Sequence, residues 1–103
     1  MASYQTAHAE RSAIDALPGL VVLDFGTDWC SICRSCAPQI EAALAEQPEL
    51  GHLKIEDGPG RALGRSFRIK LWPTLVILRD GREVARVVRP ADAQTVRTAL
   101  ASA

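Results

Sequence analysis

The sequence predicts an α/β fold in a single domain, residues 1–103, with a central mixed sheet of four strands, or five with an N-terminal edge strand, flanked by about four helices. Two runs, Leu20–Phe25 and Thr74–Leu78, are nearly all apolar, as expected of strands buried on both faces. The segments around them repeat apolar residues at helical spacing. Asp80-Gly81 is a strong hairpin signal, so at least one strand pair is antiparallel.

The first two helices are predicted from apolar periodicity on either side of the first strand. One lies between Gln5 and Leu17, through Ala7, and Pro18-Gly19 stops its pattern. The other runs from Cys30 to Gln47. Pro38 lies inside this second helix and should kink it, because proline lacks a backbone donor and crowds the preceding turn.

The middle of the chain predicts a strand followed by a short helix. His52–Glu56 alternates polar and apolar residues, which indicates a strand with one solvated face. Asp57-Gly58-Pro59-Gly60 ends it. The segment Arg61–Ile69 then predicts a short helix, although Gly64 disfavours helix formation.

The C-terminal part predicts a hairpin and a last helix. Glu83–Val88 should pair back on the preceding strand, with its apolar positions at Val84 and at Val87 or Val88. Asp92 is the candidate N-cap of the last helix. The buried face of that helix is expected to comprise Ala93, Val96 and Leu100.

Charge and hydropathy exclude several classes of function. Twelve basic and twelve acidic residues give a formal net charge of zero, so the chain lacks the field that attracts nucleic acid or anionic membranes. The N-terminus shows no basic segment followed by an apolar one, and no apolar run reaches about 18 residues. We therefore expect a cytoplasmic protein with neither nucleic-acid nor membrane partners.

Two cysteines stand where the first strand leads into the second helix. Cys30 and Cys33 are three residues apart. A helix start directs free N–H groups and the positive end of its dipole at the first cysteine, which favours the thiolate. The second cysteine lies one turn later and can close a disulfide with the first. This arrangement predicts redox chemistry.

A third cysteine, Cys36, extends the motif to CxxCxxC. Zinc and iron–sulfur sites also use clustered thiolates, so a metal site is the alternative interpretation. No fourth ligand stands at ligand spacing, since His8 and His52 are distant in sequence. We expect no metal, and we expect Cys36 to be buried as a small apolar side chain.

Together these motifs resemble the thioredoxin family over nearly the whole chain. Leu23-Asp24-Phe25 precedes Trp29-Cys30-Ser31-Ile32-Cys33, and Pro38 follows inside the helix. Trp72-Pro73-Thr74 stands before a strand, a hairpin and a last helix. The resemblance implies the thioredoxin fold and a monomeric thiol–disulfide oxidoreductase that reduces protein disulfides. It would be recharged by a reductase and need no cofactor beyond its own Cys30–Cys33 disulfide.

The resemblance also implies roles for individual residues. Cys30 corresponds to the attacking thiolate, Cys33 to the resolving thiol and Asp24 to a buried proton acceptor behind Cys33. Pro73 corresponds to a cis-proline that faces the two cysteines. The residues expected to bind substrate are Trp29, Ser31, Ile32, Trp72, Pro73 and Thr74.

The chain departs from the family at several positions. Ser31-Ile32 replaces the common Gly-Pro, which leaves reductase, isomerase and oxidase activity open. Gly26 replaces a tryptophan, so we expect a looser loop there. Arg89 replaces a glycine, either as a groove cation that favours acidic substrates or as a solvated side chain. Lys54 is the candidate for the family's lysine beside Asp24, and the N-terminal strand is reduced to residues near 3–5.

Two further interpretations remain open at this stage. The chain could be a non-enzymatic interaction module of the same fold, or a metal-carrying chaperone that uses CxxCxxC. Within the enzymes, a glutaredoxin is less close, because Trp-Cys-Ser-Ile-Cys between Leu-Asp-Phe and Ala-Pro-Gln-Ile matches thioredoxins better.

Overall fold

The structure, a computed structural model, describes residues 3–6 and 10–103. Four strands and four helices are formed in this part of the chain. The strands are β1 (Leu20–Gly26), β2 (Gly51–Glu56), β3 (Thr74–Arg79) and β4 (Arg82–Val88). The helices are α1 (Arg11–Asp15), α2 (Ser31–Leu44), α3 (Ala62–Ser66) and α4 (Ala93–Ala101).

The strands form one mixed sheet in the order β2-β1-β3-β4. β1 runs parallel to β2 and antiparallel to β3, and β3 is antiparallel to β4. At the outer edge of β2, Gln5 forms an isolated parallel bridge with Ile55. The mixed four-stranded sheet with four helices confirms the predicted fold class. The N-terminal edge is a single bridge instead of a fifth strand.

Alternation along β1 sends its side chains to two different cores. Val22 joins a cluster formed with α2 and α4, whereas Val21, Leu23 and Phe25 join a cluster formed with Ile14 of α1 and the α3 region. Asp24 has the same parity as Val22. Its carboxylate therefore belongs to the face covered by α2, which is the helix that carries the cysteines.

The first helix is shorter than predicted. α1 covers only Arg11–Asp15. The prediction was wrong at Gln5, whose N–H donates to the carbonyl of Lys54 while its own carbonyl accepts from the N–H of Glu56. A residue paired in this way to a strand cannot also begin a helix. Ala7 and His8 lie outside the described residues.

The hairpin forms as predicted, but its second strand is bulged. Asp80 and Gly81 both have positive φ, 51° and 83°, as a two-residue hairpin turn requires. The register shifts between the pairs Ile77↔Ala85 and Leu78↔Glu83, which leaves Val84 without a partner. Val84 is 42% exposed, so this apolar position of β4 faces solvent. Of the two alternatives that follow it, Val87 is buried and Val88 is exposed.

The remaining elements keep close to their predicted bounds. α2 begins one residue later than expected, with Cys30 as its N-cap, and continues through Pro38 to Leu44, three residues before the predicted end at Gln47. In α4, the Asp92 carboxylate accepts from the N–H of Thr95 at 2.8 Å, which confirms the predicted cap. Within the described residues no helix combines the length and apolar character needed to cross a bilayer.

Candidate active site

Cys30 is held at the start of α2. Its Sγ accepts a hydrogen bond from the N–H of Cys33 at 3.4 Å, so the thiol sits over the free N–H groups of the first helical turn. Partial burial acts to raise the pKa of Cys30. The N–H groups of Cys33 and Ile32, the Cys33 thiol and the charge of Arg89 outweigh it and lower the pKa below its ordinary value. The surroundings therefore favour a Cys30 thiolate.

Cys33 lies one turn further and faces inward. Its side chain is only 3% exposed. Burial is the main reason that the pKa of Cys33 is raised to about 12, against hydrogen bonds from the Thr27 backbone and from Tyr4 that act to lower it. The neighbouring Cys30 sulfur raises it further. At neutral pH this thiol keeps its proton until a base removes it.

Asp24 is buried in the middle of β1, 2% exposed. Its Oδ1 accepts a hydrogen bond from the Tyr4 hydroxyl at 2.8 Å. Its Oδ2 lies 3.7 Å from Nε2 of His52, beyond hydrogen-bond distance. That Nε2 is itself buried and has no hydrogen-bond partner in the part of the chain that the structure describes. The buried Asp24 carboxylate thus has a hydrogen-bond partner in Tyr4 of the N-terminal segment, and His52 of β2 lies further away.

Lys54 does not fill the role expected of it. Although Lys54 is in register with Asp24 on the adjacent strand, no ion pair joins the two among the described residues. Its Nζ lies 4.5 Å from the centroid of the Tyr4 ring instead. The Tyr4 hydroxyl already occupies one oxygen of Asp24, and His52 is the basic side chain that approaches the other.

Tyr4 is a site residue that no motif in the sequence predicted. An ideal Cβ built on Gly26 would lie 2.6 Å from Cys33 Sγ and 2.8 Å from Tyr4 Oη, so these two atoms flank the glycine closely. The loop at Gly26 is therefore filled, and the expectation of a looser loop was wrong. The available signal was a lone tyrosine near the N-terminus combined with a glycine in place of a large side chain.

Two tryptophans stand beside the cysteines and contact each other. Trp29 is 70% exposed, and its ring meets that of Trp72 edge-on with centroids 5.7 Å apart. Trp72 is half-buried and donates from Nε1 to Asp57 Oδ2 at 2.8 Å. The bond to Asp57 fixes the Trp72 ring, which in turn supports Trp29. Exposed, fixed aromatic rings suit a binding surface.

The residues after Trp72 are buried. The Trp72–Pro73 peptide bond is cis, and Pro73 is buried. The hydroxyl of Thr74 donates to the Leu71 carbonyl at 2.6 Å, and Thr74 is only 2% exposed. Neither side chain is open to a partner, so contacts with a substrate at this position would have to use the backbone.

Arg89 is exposed next to this segment. It has a φ of 50°, a conformation that glycine adopts more easily, and its Nε donates to the Trp72 carbonyl at 2.8 Å. The guanidinium is thereby held near the site, and its charge contributes to the lowered pKa of Cys30. Of the two alternatives for Arg89, the groove cation describes its position better.

Ser31, Ile32 and Cys36 complete the motif. Ser31 and Ile32 are exposed in the first turn of α2. Cys36 is 6% exposed and belongs to the core formed by β1, α2 and α4, and burial raises its pKa. In residues 3–6 and 10–103, no three His, Cys, Asp or Glu side chains are grouped so that they could hold a metal ion.

Comparison with known proteins shows similarity along nearly the whole chain. A family model described as "Thioredoxin" matches residues 4–102. Thioredoxin of Chlamydia trachomatis is 33% identical over 84 residues, 82% of each chain. Thioredoxin-1 of Saccharomyces cerevisiae is 32% identical over 99 residues, 96% of this chain and 94% of that one. The structure of reduced thioredoxin 2 from Pseudomonas aeruginosa matches with a TM-score of 0.88 and 51% identity, covering 98% of this chain and 94% of that one.

Proposed function

Because the chain belongs to the thioredoxin family and is a thiol–disulfide oxidoreductase, we propose that Cys30 is its attacking thiolate and Cys33 its resolving thiol. One observation carries this assignment. The two thiols sit in neighbouring turns, yet the pKa of Cys30 is lowered while that of the buried Cys33 is raised to about 12. Only Cys30 combines a lowered pKa with a side chain that a partner can reach.

The proposed reaction proceeds in two exchanges. The Cys30 thiolate attacks one sulfur of a substrate disulfide, forms a mixed disulfide and expels the other substrate sulfur as a thiolate. Cys33 then loses its proton and attacks Cys30 Sγ, which expels the second substrate sulfur and leaves a Cys30–Cys33 disulfide. Asp24 is the proposed acceptor of the Cys33 proton. A reductase then returns two electrons to the disulfide.

The proposed substrate surface surrounds Cys30. Trp29, Trp72 and Ile32 present apolar area, with Ser31 beside the attacking sulfur. Pro73 and Thr74 are proposed to border this surface, and the Pro73 carbonyl already accepts a hydrogen bond from the N–H of Arg89 at 3.0 Å. Disulfide-bearing proteins are the proposed substrates, because a shallow aromatic surface receives a polypeptide segment better than a small molecule, which needs a concave pocket.

The proposed setting is the cytoplasm, and the proposed form is a monomer. Three cysteines within seven residues fit redox chemistry in a reducing compartment better than they fit a scaffold held together by disulfides. The formal net charge of zero supports neither nucleic acid nor anionic membranes as partners.

The order of attack can be tested with insulin as the disulfide substrate. Cys33→Ser should accumulate a covalent mixed disulfide between Cys30 and an insulin chain, because nothing resolves it. Cys30→Ser should form no such adduct and should reduce no insulin. Non-reducing electrophoresis with peptide mapping would identify the bond, and Cys36→Ala is the matched cysteine control that should behave as the parent.

Two results would contradict the assignment. One is multiple turnover of insulin by Cys33→Ser, and the other is a trapped adduct in Cys30→Ser.

A further inference from the structure

Tyr4 is fixed in place by the residues on both sides of its ring. Its backbone N–H donates to Asp28 Oδ1 at 3.1 Å, and the next residue, Gln5, is bridged to β2 on both backbone groups. The ammonium of Lys54 lies over the ring face. Tyr4 is 7% exposed. A side chain held in this manner presents its hydroxyl at one position.

That position is between Asp24 and Cys33. The hydroxyl donates to Asp24 Oδ1 at 2.8 Å, and its oxygen is a neighbour of the Cys33 sulfur, since both atoms lie within 3 Å of the Cβ position of Gly26. Burial, followed by the charge and hydrogen bond of Asp24, raises the pKa of Tyr4 above its ordinary value. The phenol therefore stays protonated and keeps one proton to give.

We propose that Tyr4 is a further catalytic residue, whose hydroxyl relays the proton of Cys33 to Asp24 in the resolving step. The inference rests on the proposed roles of Cys30 and Cys33. It makes the Tyr4 side chain the link between the buried Asp24 carboxylate and the Cys33 sulfur.

The relay leaves atoms and electrons balanced. The Cys33 S–H proton moves to Tyr4 Oη while the phenol proton moves to Asp24 Oδ1, so Tyr4 stays neutral. The Cys33 thiolate forms the S–S bond to Cys30, and the bond from Cys30 to the substrate breaks with its electron pair on the substrate sulfur. When a reductase later reduces the disulfide, the proton returns from Asp24 through Tyr4 to Cys33.

The geometry also explains why Gly26 and Tyr4 occur together. Any side chain at Gly26 would stand at the meeting point of the thiol and the phenol. The glycine thus admits the hydroxyl between Asp24 and Cys33. Packing alone would need only an apolar ring there, whereas the observed side chain places its single polar atom against the carboxylate.

The test follows the two exchange steps separately with dithiobis(nitrobenzoate), which releases one coloured thiolate in each. The first phase reports attack by Cys30 and the second reports resolution by Cys33. Tyr4→Phe should keep the first rate and slow the second by about a hundredfold at neutral pH, the lower end of the range for general acid–base catalysis. Asp24→Asn should slow the second phase at least as much.

Combining the two substitutions distinguishes a relay from packing. If Tyr4 and Asp24 belong to one proton path, the double variant Tyr4→Phe/Asp24→Asn should have a second phase no slower than that of the slower single variant. Independent effects would multiply and would overturn the relay. Asp92→Ala is the stability control, because it removes the α4 cap and should lower stability while leaving both phases unchanged.

A measurement on the parent protein does not depend on how the variants fold. The second phase should slow in D₂O more than the first, because only resolution moves protons through Tyr4. An equal isotope effect on both phases, or a parent-like second phase in Tyr4→Phe, would overturn the relay alone. Absence of the first phase in the parent would overturn the proposed function, and the relay with it.

Discussion

Cys30 and Cys33 show how position at a helix start separates two identical side chains. Cys30 caps α2, and its sulfur accepts a hydrogen bond from the N–H of Cys33, whereas the Cys33 thiol faces the sheet and is desolvated. Hydrogen bonds to a thiolate favour ionisation and burial opposes it. The two effects divide between the residues, so one thiol is prepared to attack and the other waits for a base.

Alkylation with iodoacetamide checks this division. The reduced protein should be modified at Cys30 alone, at a rate that rises with pH and levels off above the Cys30 pKa. The midpoint should lie below the ordinary thiol value of about 8.5. Arg89→Ala should move it to higher pH, because the charge of Arg89 contributes to the lowered pKa.

The matched control is Arg82→Ala, an exposed arginine at the far end of the β3–β4 hairpin, which should leave the midpoint in place. Peptide mapping that finds Cys33 labelled as fast as Cys30 at neutral pH would refute the assignment.

Residue-level prediction from the sequence succeeded where a motif defines a local environment. The placement of Cys30 at a helix start, the burial of Asp24 and the burial of Cys36 all follow from local pattern. Tyr4 and His52 were missed because their partners lie about twenty or more residues away in sequence, and only the strand pairing brings them to Asp24.

At the scale of elements, the end of β1 and the N-terminal segment depend on each other. Gly26 is the last residue of β1 and has ordinary strand φ, so its need for glycine is steric and not conformational. The Gln5–Ile55 bridge aligns the segment so that Tyr4 enters above Gly26. A bridge of one residue pair thus completes the site.

Gly26→Ala should be destabilising. The added methyl would lie within 3 Å of both Cys33 Sγ and Tyr4 Oη, and overpacking of this kind costs about 1–3 kcal/mol. Urea denaturation of the reduced protein measures the loss. Adding Tyr4→Phe should recover part of it, because one of the two close contacts disappears. Unchanged stability in Gly26→Ala would contradict the close packing of Cys33 and Tyr4 around Gly26.

Element-level prediction was good where hydrophobic pattern and turn chemistry agree. β1, β3, the Asp80-Gly81 turn and the Asp92 cap are read directly from residue types. The exposed Val84 could not be predicted, because a bulge changes which residues face inward without leaving a mark in the apolar pattern. α1 was overextended, since a strand bridge at Gln5 depends on a partner more than forty residues later.

At the scale of the whole molecule, the two faces of the sheet have different tasks. Both faces pack an apolar cluster, one with α1 and α3 and the other with α2 and α4, and the second face also carries Asp24, His52 and Lys54. The cysteines, the tryptophans and Arg89 gather where β1 and β3 meet the start of α2. Cys36 belongs to the core beside them, so the chain separates chemistry from packing within seven residues of one helix.

The roles of Cys30 and Cys33 can be measured directly by following, as turbidity, the reduction of insulin by dithiothreitol in the presence of the protein. Catalytic amounts of the parent and of Cys36→Ala should accelerate precipitation of the insulin B chain, while Cys30→Ser should not exceed dithiothreitol alone. Equal acceleration by Cys30→Ser, or loss of activity in a folded Cys36→Ala, would contradict a two-thiol mechanism at Cys30 and Cys33.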